Sequence, residues 1–180
     1  MSTKILTSPL SSLISRFYWL VFTLSISQLS LAAENTEKAL LAEKVDYSAN
    51  QLIMSIEDGI RFLNLNDNVK VTQGSLEIFG DTAVLEYDEP TRELIKVTVH
   101  GTPVRYSQNL DTAGGKVKGD SDSIVMFTQD DTGDTVVELT GNAHIQSPDT
   151  TLNCAAIVYL PRLDLIPNTT GPCVGSFNQE

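Results

Sequence analysis

The residues that could do covalent or metal chemistry are few, and their spacing argues against it. His100 and His144 are the two histidines, and neither is spaced from cysteines or carboxylates so as to complete a four-ligand site. Asp130-Asp131-Thr132-Gly133-Asp134, with Glu138 beyond, carries oxygen ligands suited to calcium. It lacks the alternating acidic spacing of an EF-hand loop and reads as a solvated turn. Ala113-Gly114-Gly115-Lys116-Val117-Lys118-Gly119-Asp120-Ser121 has the glycines and lysines of a phosphate loop without its G-x-x-x-x-G-K-[ST] spacing, and no helical pattern follows. No serine stands in a nucleophile elbow, and no pair of acids is set for acid–base work. A non-enzyme is expected, with no metal and no cofactor.

The two cysteines, Cys154 and Cys173, must be read with the N-terminus. Lys4 and Arg16 precede an uncharged, mostly apolar run from Phe17 to Ala33, and Ser30-Leu31-Ala32 supplies the small residues a signal peptidase requires. The expected organisation is a signal peptide over 1–32 and one domain over 33–180, with cleavage after Ala32 or Ala33. An uncleaved inner-membrane anchor is the other reading, since the run approaches the roughly 17-residue minimum for a spanning helix. Export permits a disulfide between Cys154 and Cys173; two free thiols are the alternative. Losing Lys4 and Arg16 moves the net charge from -11 to about -13. So acidic a chain repels nucleic acid, and no basic patch with interleaved aromatics opposes that.

The elements that position these residues are strands. From Val45 onward apolar and polar residues alternate in short pieces, with turn residues every 8 to 12 positions or so, as expected of an all-β fold. Fifteen short strands or so can be read this way, among them Val69–Thr72, Ser75–Phe79, Ala83–Tyr87, Ala143–Ser147, Leu152–Cys154 and Ile157–Leu160. Thr36–Lys44 suits a short helix or the lead-in to an edge strand. Asp111-Thr112-Ala113-Gly114-Gly115 reads as a flexible loop.

The chain also repeats itself. The stretch from Leu65 to Leu85 returns at a constant offset of about 74 residues as Leu139 to Tyr159. Val69/Ala143, Val71/Ile145, Ile78/Leu152 and Ala83/Ile157 keep one parity through both copies, so a duplicated β unit presents the same apolar face twice. Extended to the neighbouring strands, that face takes in Ile95, Val97, Val99, Val104, Tyr106, Ile124, Met126, Val137 and Leu139. Branched aliphatics and methionine suit a sealed core or a groove for alkyl chains.

Three segments carry a resemblance: Asn66-Asp67-Asn68-Val69-Lys70-Val71-Thr72-Gln73-Gly74, Gly101-Thr102-Pro103-Val104-Arg105-Tyr106-Ser107-Gln108 and Leu139-Thr140-Gly141-Asn142-Ala143-His144-Ile145-Gln146. In this order, on an exported chain, the set resembles the OstA-like (LptA-type) family of periplasmic lipopolysaccharide transport proteins, over roughly Ala42 to Leu165. The resemblance implies a twisted, open β-jelly roll of antiparallel strands whose interior holds the acyl chains of lipid A. It implies lipopolysaccharide as ligand, inner- and outer-membrane transport components as partners, head-to-tail assembly of copies through strand edges, and a periplasmic location. The inward parity near the repeats would then line the groove: Val71, Ile78, Val99, Tyr106, Met126, Leu139, Ile145 and Leu152. The Cys154/Cys173 pair is not part of the family pattern. Two other readings stand beside this one: an inner-membrane-anchored component of the same pathway, and a secreted carbohydrate- or calcium-binding β module with a sealed core.

Overall fold

Alternation is realised as antiparallel strands that run much longer than the short pieces seen in sequence. The computed structural model describes residues 44–110, 115–129 and 132–178. The segment expected to be a signal peptide with its cleavage site, most of the Thr36–Lys44 segment, residues 111–114, and Asp130 and Asp131 lie outside the described residues.

Ten strands form one sheet: β1 (Val45–Ser48), β2 (Gln51–Glu57), β3 (Ile60–Gln73), β4 (Leu76–Asp88), β5 (Leu94–Asn109), β6 (Lys116–Thr128), β7 (Thr135–Gln146), β8 (Thr150–Leu160), β9 (Leu165–Thr170) and β10 (Val174–Phe177). Successive strands from β3 to β8 pair antiparallel with their sequence neighbours. Pro161–Leu163 forms one turn of 3-10 helix. Among the described residues no helix is long and apolar enough to cross a membrane.

Strands β3 to β8 are 11 to 16 residues long, against a usual length of about 5–6. Each is two expected strands in one. Gly80-Asp81, read as a separator, lies within β4, and Asn142 lies within β7. The register shifts at Asn66/Val69, Phe79/Thr82, His100/Val104, Asp120/Ser123 and Thr140/Ala143, so every neighbouring pair from β3 to β8 is irregular near mid-length. Glycine, asparagine and aspartate serve a bulge as well as a turn, because both need left-handed or strained backbone. A bulge also resets which parity points inward. In β4 the buried set passes from Leu76 and Ile78 to Ala83 and Leu85, and in β5 from Val97 and Val99 to Val104 and Tyr106.

The duplication is visible in backbone geometry. Asp67 and Asn68 are consecutive left-handed residues, with φ of 60° and 54°. Their repeat counterparts Gly141 and Asn142 have φ of 78° and 47°. These are the residue types that tolerate positive φ, so the same bulge is specified twice by local chemistry.

The row of bulges creases the sheet. Inward residues on both sides of it, among them Val71, Ile78, Val97, Ile124, Leu139 and Ile157, belong to one core cluster and are fully buried. A sheet face is sealed only by a second layer, and here the sheet supplies its own by folding over along the crease. Space at Gly119 is tight: a Cβ there would stand 2.9 Å from Leu139 Cδ2 and 3.0 Å from the carbonyl oxygen of His144 on the paired strand, so a side chain would force its neighbours to shift.

The two edges of the sheet are broken strands. β1 and β2 lie in succession along the outer side of β3, and β9 and β10 along the outer side of β8. Cys154 and Cys173 are joined at the break between β9 and β10, 19 residues apart.

Candidate functional site

The folded sheet encloses an apolar interior, formed by side chains from both layers and called the trough below. Val71, Ile78, Val99, Tyr106, Met126, Leu139 and Ile145 are all buried in its lining cluster. Leu152 is half-buried and packs against the same cluster. The eight residues expected from alternation to line a groove therefore pack in or against one core, which is closed by mutual packing. Ile95 does not join them. The register slips between Glu86 and Tyr87, which turns Ile95 outward at 40% exposure.

Several lining residues had a signal in the sequence that was not used. Leu63 and Leu65 are buried, and their odd parity continues through the two-residue bulge to Val69 and Val71. Val117 and Tyr159 are buried by the same rule.

The few polar groups in the trough are satisfied. The Tyr106 hydroxyl donates to Gln108 Oε1 at 2.6 Å, and the Tyr159 hydroxyl to Asp164 Oδ1 at 2.9 Å. The rings meet edge to face across the layers, with centroids 6.3 Å apart. Burial, reinforced by Tyr159 and Asp164, pushes the Tyr106 hydroxyl pKa well above its usual 10.0. Burial and the Asp164 contact raise that of Tyr159. Both phenols stay neutral, so neither tyrosine adds a charge to the buried interior.

Two of the residues weighed for metal chemistry are otherwise engaged. Asp134 is ion-paired with Arg162, whose Nε donates to Asp134 Oδ1 at 2.7 Å. His144 Nδ1 lies 2.9 Å from Asn153 Oδ1 across the β7–β8 pair. Among the described residues no three His, Cys, Asp or Glu side chains gather as a metal site.

The trough has two ends. In β2, Leu52 and Met54 pair with Leu65 and Leu63 and so share their inward face, yet they are 44% and 48% exposed because no strand covers them. At the other end a cleft of about 250 Å³ lies between the layers, lined by Ile145, Ser147, Asp149, Thr150, Tyr159, Asp164, Ile166 and Phe177. The exposed large apolar residues concentrate on the edge strands: Tyr47, Leu52, Ile53, Met54 and Ile56 on β1 and β2, Leu165, Val174 and Phe177 on β9 and β10. Alternation alone could not reveal this, because an edge is defined by which strands pair.

Residues 42–162, more than half of the chain, match the family model described as LptA/(LptD N-terminal domain) LPS transport protein. The chain belongs to this family. A curated relative, the lipopolysaccharide export system protein LptA of Haemophilus influenzae, is 32% identical over 98 residues, which is 54% of each chain. The matched region thus spans about half the length of that relative. Among solved structures, the crystal structure of LptH from Pseudomonas aeruginosa, described as the LptA-homologous periplasmic component of a lipopolysaccharide transport device, superposes with a TM-score of 0.62. The match covers 76% of this chain and 96% of LptH at 22% identity, and it shows that the two share the LptA fold. The open, antiparallel all-β architecture read from sequence is therefore the family's own.

Proposed function

We propose that this protein is a periplasmic bridge that shields the acyl chains of lipopolysaccharide in its trough and passes the lipid from the inner toward the outer membrane. The observation that carries this reading is an apolar interior formed by two layers of one sheet, ending at both edges in exposed apolar strands. Opening such a trough exchanges contacts between side chains for contacts with acyl chains. The apolar area facing the lining is nearly conserved, while each methylene taken out of water contributes about 0.8 kcal/mol. The family assignment supports lipopolysaccharide as the guest.

Edge strands supply the assembly. The outer backbone groups of β1/β2 and β9/β10 are free to extend the ladder into a neighbour by β-augmentation. Two different edges on one chain give a heterologous, head-to-tail contact, between copies or with the inner- and outer-membrane components of the pathway. No chemical step is required of the protein.

Native mass spectrometry of the exported protein with and without purified lipopolysaccharide tests the proposal. Lipid adducts on a concentration-dependent oligomer ladder are expected, on a chain whose mass begins at Ala33 or Glu34. A retained N-terminal segment would favour the anchored component. A bare monomer that ignores lipid would leave only a sealed-core module on a shared fold.

A further inference from the structure

The cleft at the β8–β10 end of the trough has a second, polar neighbour. Ser147 lines both the cleft between the layers and a second notch formed with Lys116, Lys118, Gln146 and Pro148. The turn after β7 is thus a lip, with the trough on one side and two lysines on the other. The register agrees, since Lys118 stands opposite Gln146 across β6 and β7.

These lysines differ electrostatically from most cations of the chain. Among the described residues Lys44, Arg61, Lys70, Arg92, Lys96 and Arg162 each sit in an ion pair with a carboxylate. Lys116, Lys118 and Arg105 form no ion pair. Arg105 stands opposite Asp120, and the field of Lys116 reaches Glu77, which is already bonded to Lys70. Lys118 stands between the neutral Ser107 and Gln146. In a protein with net charge -11, ammonium groups left without a carboxylate partner beside a trough mouth form a local anion site. On the cleft side of the lip stand Asp149, which accepts from the Ser147 hydroxyl at 2.8 Å, and Asp164, so an anion is favoured only on the lysine side.

We propose that Lys116 and Lys118, with the Gln146 amide, bind a phosphate group on the headgroup of a lipid whose acyl chains occupy the trough. This inference rests on the acyl-chain reading of the trough. It adds a polar anchor that fixes which way the lipid lies, with the headgroup at the β6–β7 lip.

The test is equilibrium binding of three probes: phosphorylated lipid A, lipid A with its phosphates removed, and inorganic phosphate. Each is titrated into the whole exported protein and into its Lys116→Gln/Lys118→Gln variant. Wild type should hold phosphorylated lipid A about tenfold more tightly than the dephosphorylated form, as two exposed charge-assisted contacts provide. The variant should lose that preference, bind the dephosphorylated lipid as wild type does, and unfold within about 2 °C of it. High salt should narrow the wild-type preference. An undiminished preference in the variant would overturn the proposal, as would equal weakening toward both lipids. Inorganic phosphate binding as tightly as phosphorylated lipid A would overturn the headgroup assignment. Wild type that binds neither lipid would instead defeat the acyl-chain reading itself.

Discussion

Reducing the Cys154–Cys173 bond should loosen the C-terminal edge by an amount the structure allows to be worked out. β10 has no buried residue, and in β9 only Ile166 packs against the core. Both strands are therefore held by main-chain pairing to β8 and by the one covalent link at their break. In the chain-entropy model a link across 19 residues removes roughly 3 kcal/mol of freedom from the unfolded chain. Over the roughly 135 residues from Lys44 to Asn178, an unfolding entropy near 2.1 cal/mol/K per residue converts this to a fall in Tm of about 10 °C. Differential scanning calorimetry of oxidised protein, of protein reduced with a phosphine, and of a Cys154→Ala/Cys173→Ala variant measures it. Chymotrypsin should also cut at Phe177 faster once the bond is open. A Tm unchanged to within about 2 °C on reduction would refute the reasoning, because the bridge would then lie outside the cooperative unit.

Gly141→Ala should cost roughly 1–3 kcal/mol, since its φ is +78° and a Cβ would stand 2.3 Å from Asp122 Oδ2. Gly59→Ala should cost less in urea titrations, because its Cβ would meet nothing within 4 Å and only the backbone strain remains. Stability should fall on both sides of neutrality. Hydrogen bonds from Arg61 to Glu89 and from Lys70 to Glu77 hold both carboxyl pKa values below the usual 4.5. Their contribution is present above pH 4.5 and is lost as pH drops through the depressed values. Tyr106 and Tyr159 are raised above 10.0, so their contribution is complete below pH 10 and is lost as pH rises beyond it. Tyr106→Phe should flatten the alkaline limb of a denaturation-versus-pH profile. Ile53→Asp with Val174→Asp places charges on two exposed edge positions and should shorten the oligomer ladder in sedimentation velocity. Its Tm should move by no more than about 2 °C, as for ordinary surface changes.

What could be read from sequence was what is local. The period of two and the offset between copies identified the inward face, because parity is a property of neighbouring residues. It located Val71, Ile145 and their companions without any knowledge of pairing. Gly80-Asp81 and Gly141-Asn142 carry no signal that separates a hairpin turn from a mid-strand bulge, because both select the same residue types. What distinguishes them is whether the adjacent strands break at the same level, and that is a non-local fact. Ile95 was misplaced by the same limitation, as its register slip is set by the pairing of β4 with β5. Lys116 and Lys118 were noticed for a phosphate-loop spacing they do not have. Their significance came from register, which sets neutral partners opposite Lys118 and places both lysines beside the trough mouth.

The central claim is that acyl chains enter the space between the two layers. Methyl-labelled protein, with Ile, Leu, Val and Met methyl groups visible by NMR, can be titrated with lipid A. Intermolecular NOEs from acyl methylenes to Met126, Leu139 and Ile145 are expected, with Ile95 on the outer face unaffected. NOEs confined to Ile95 and the edge strands, with the Met126, Leu139 and Ile145 resonances unmoved, would contradict it.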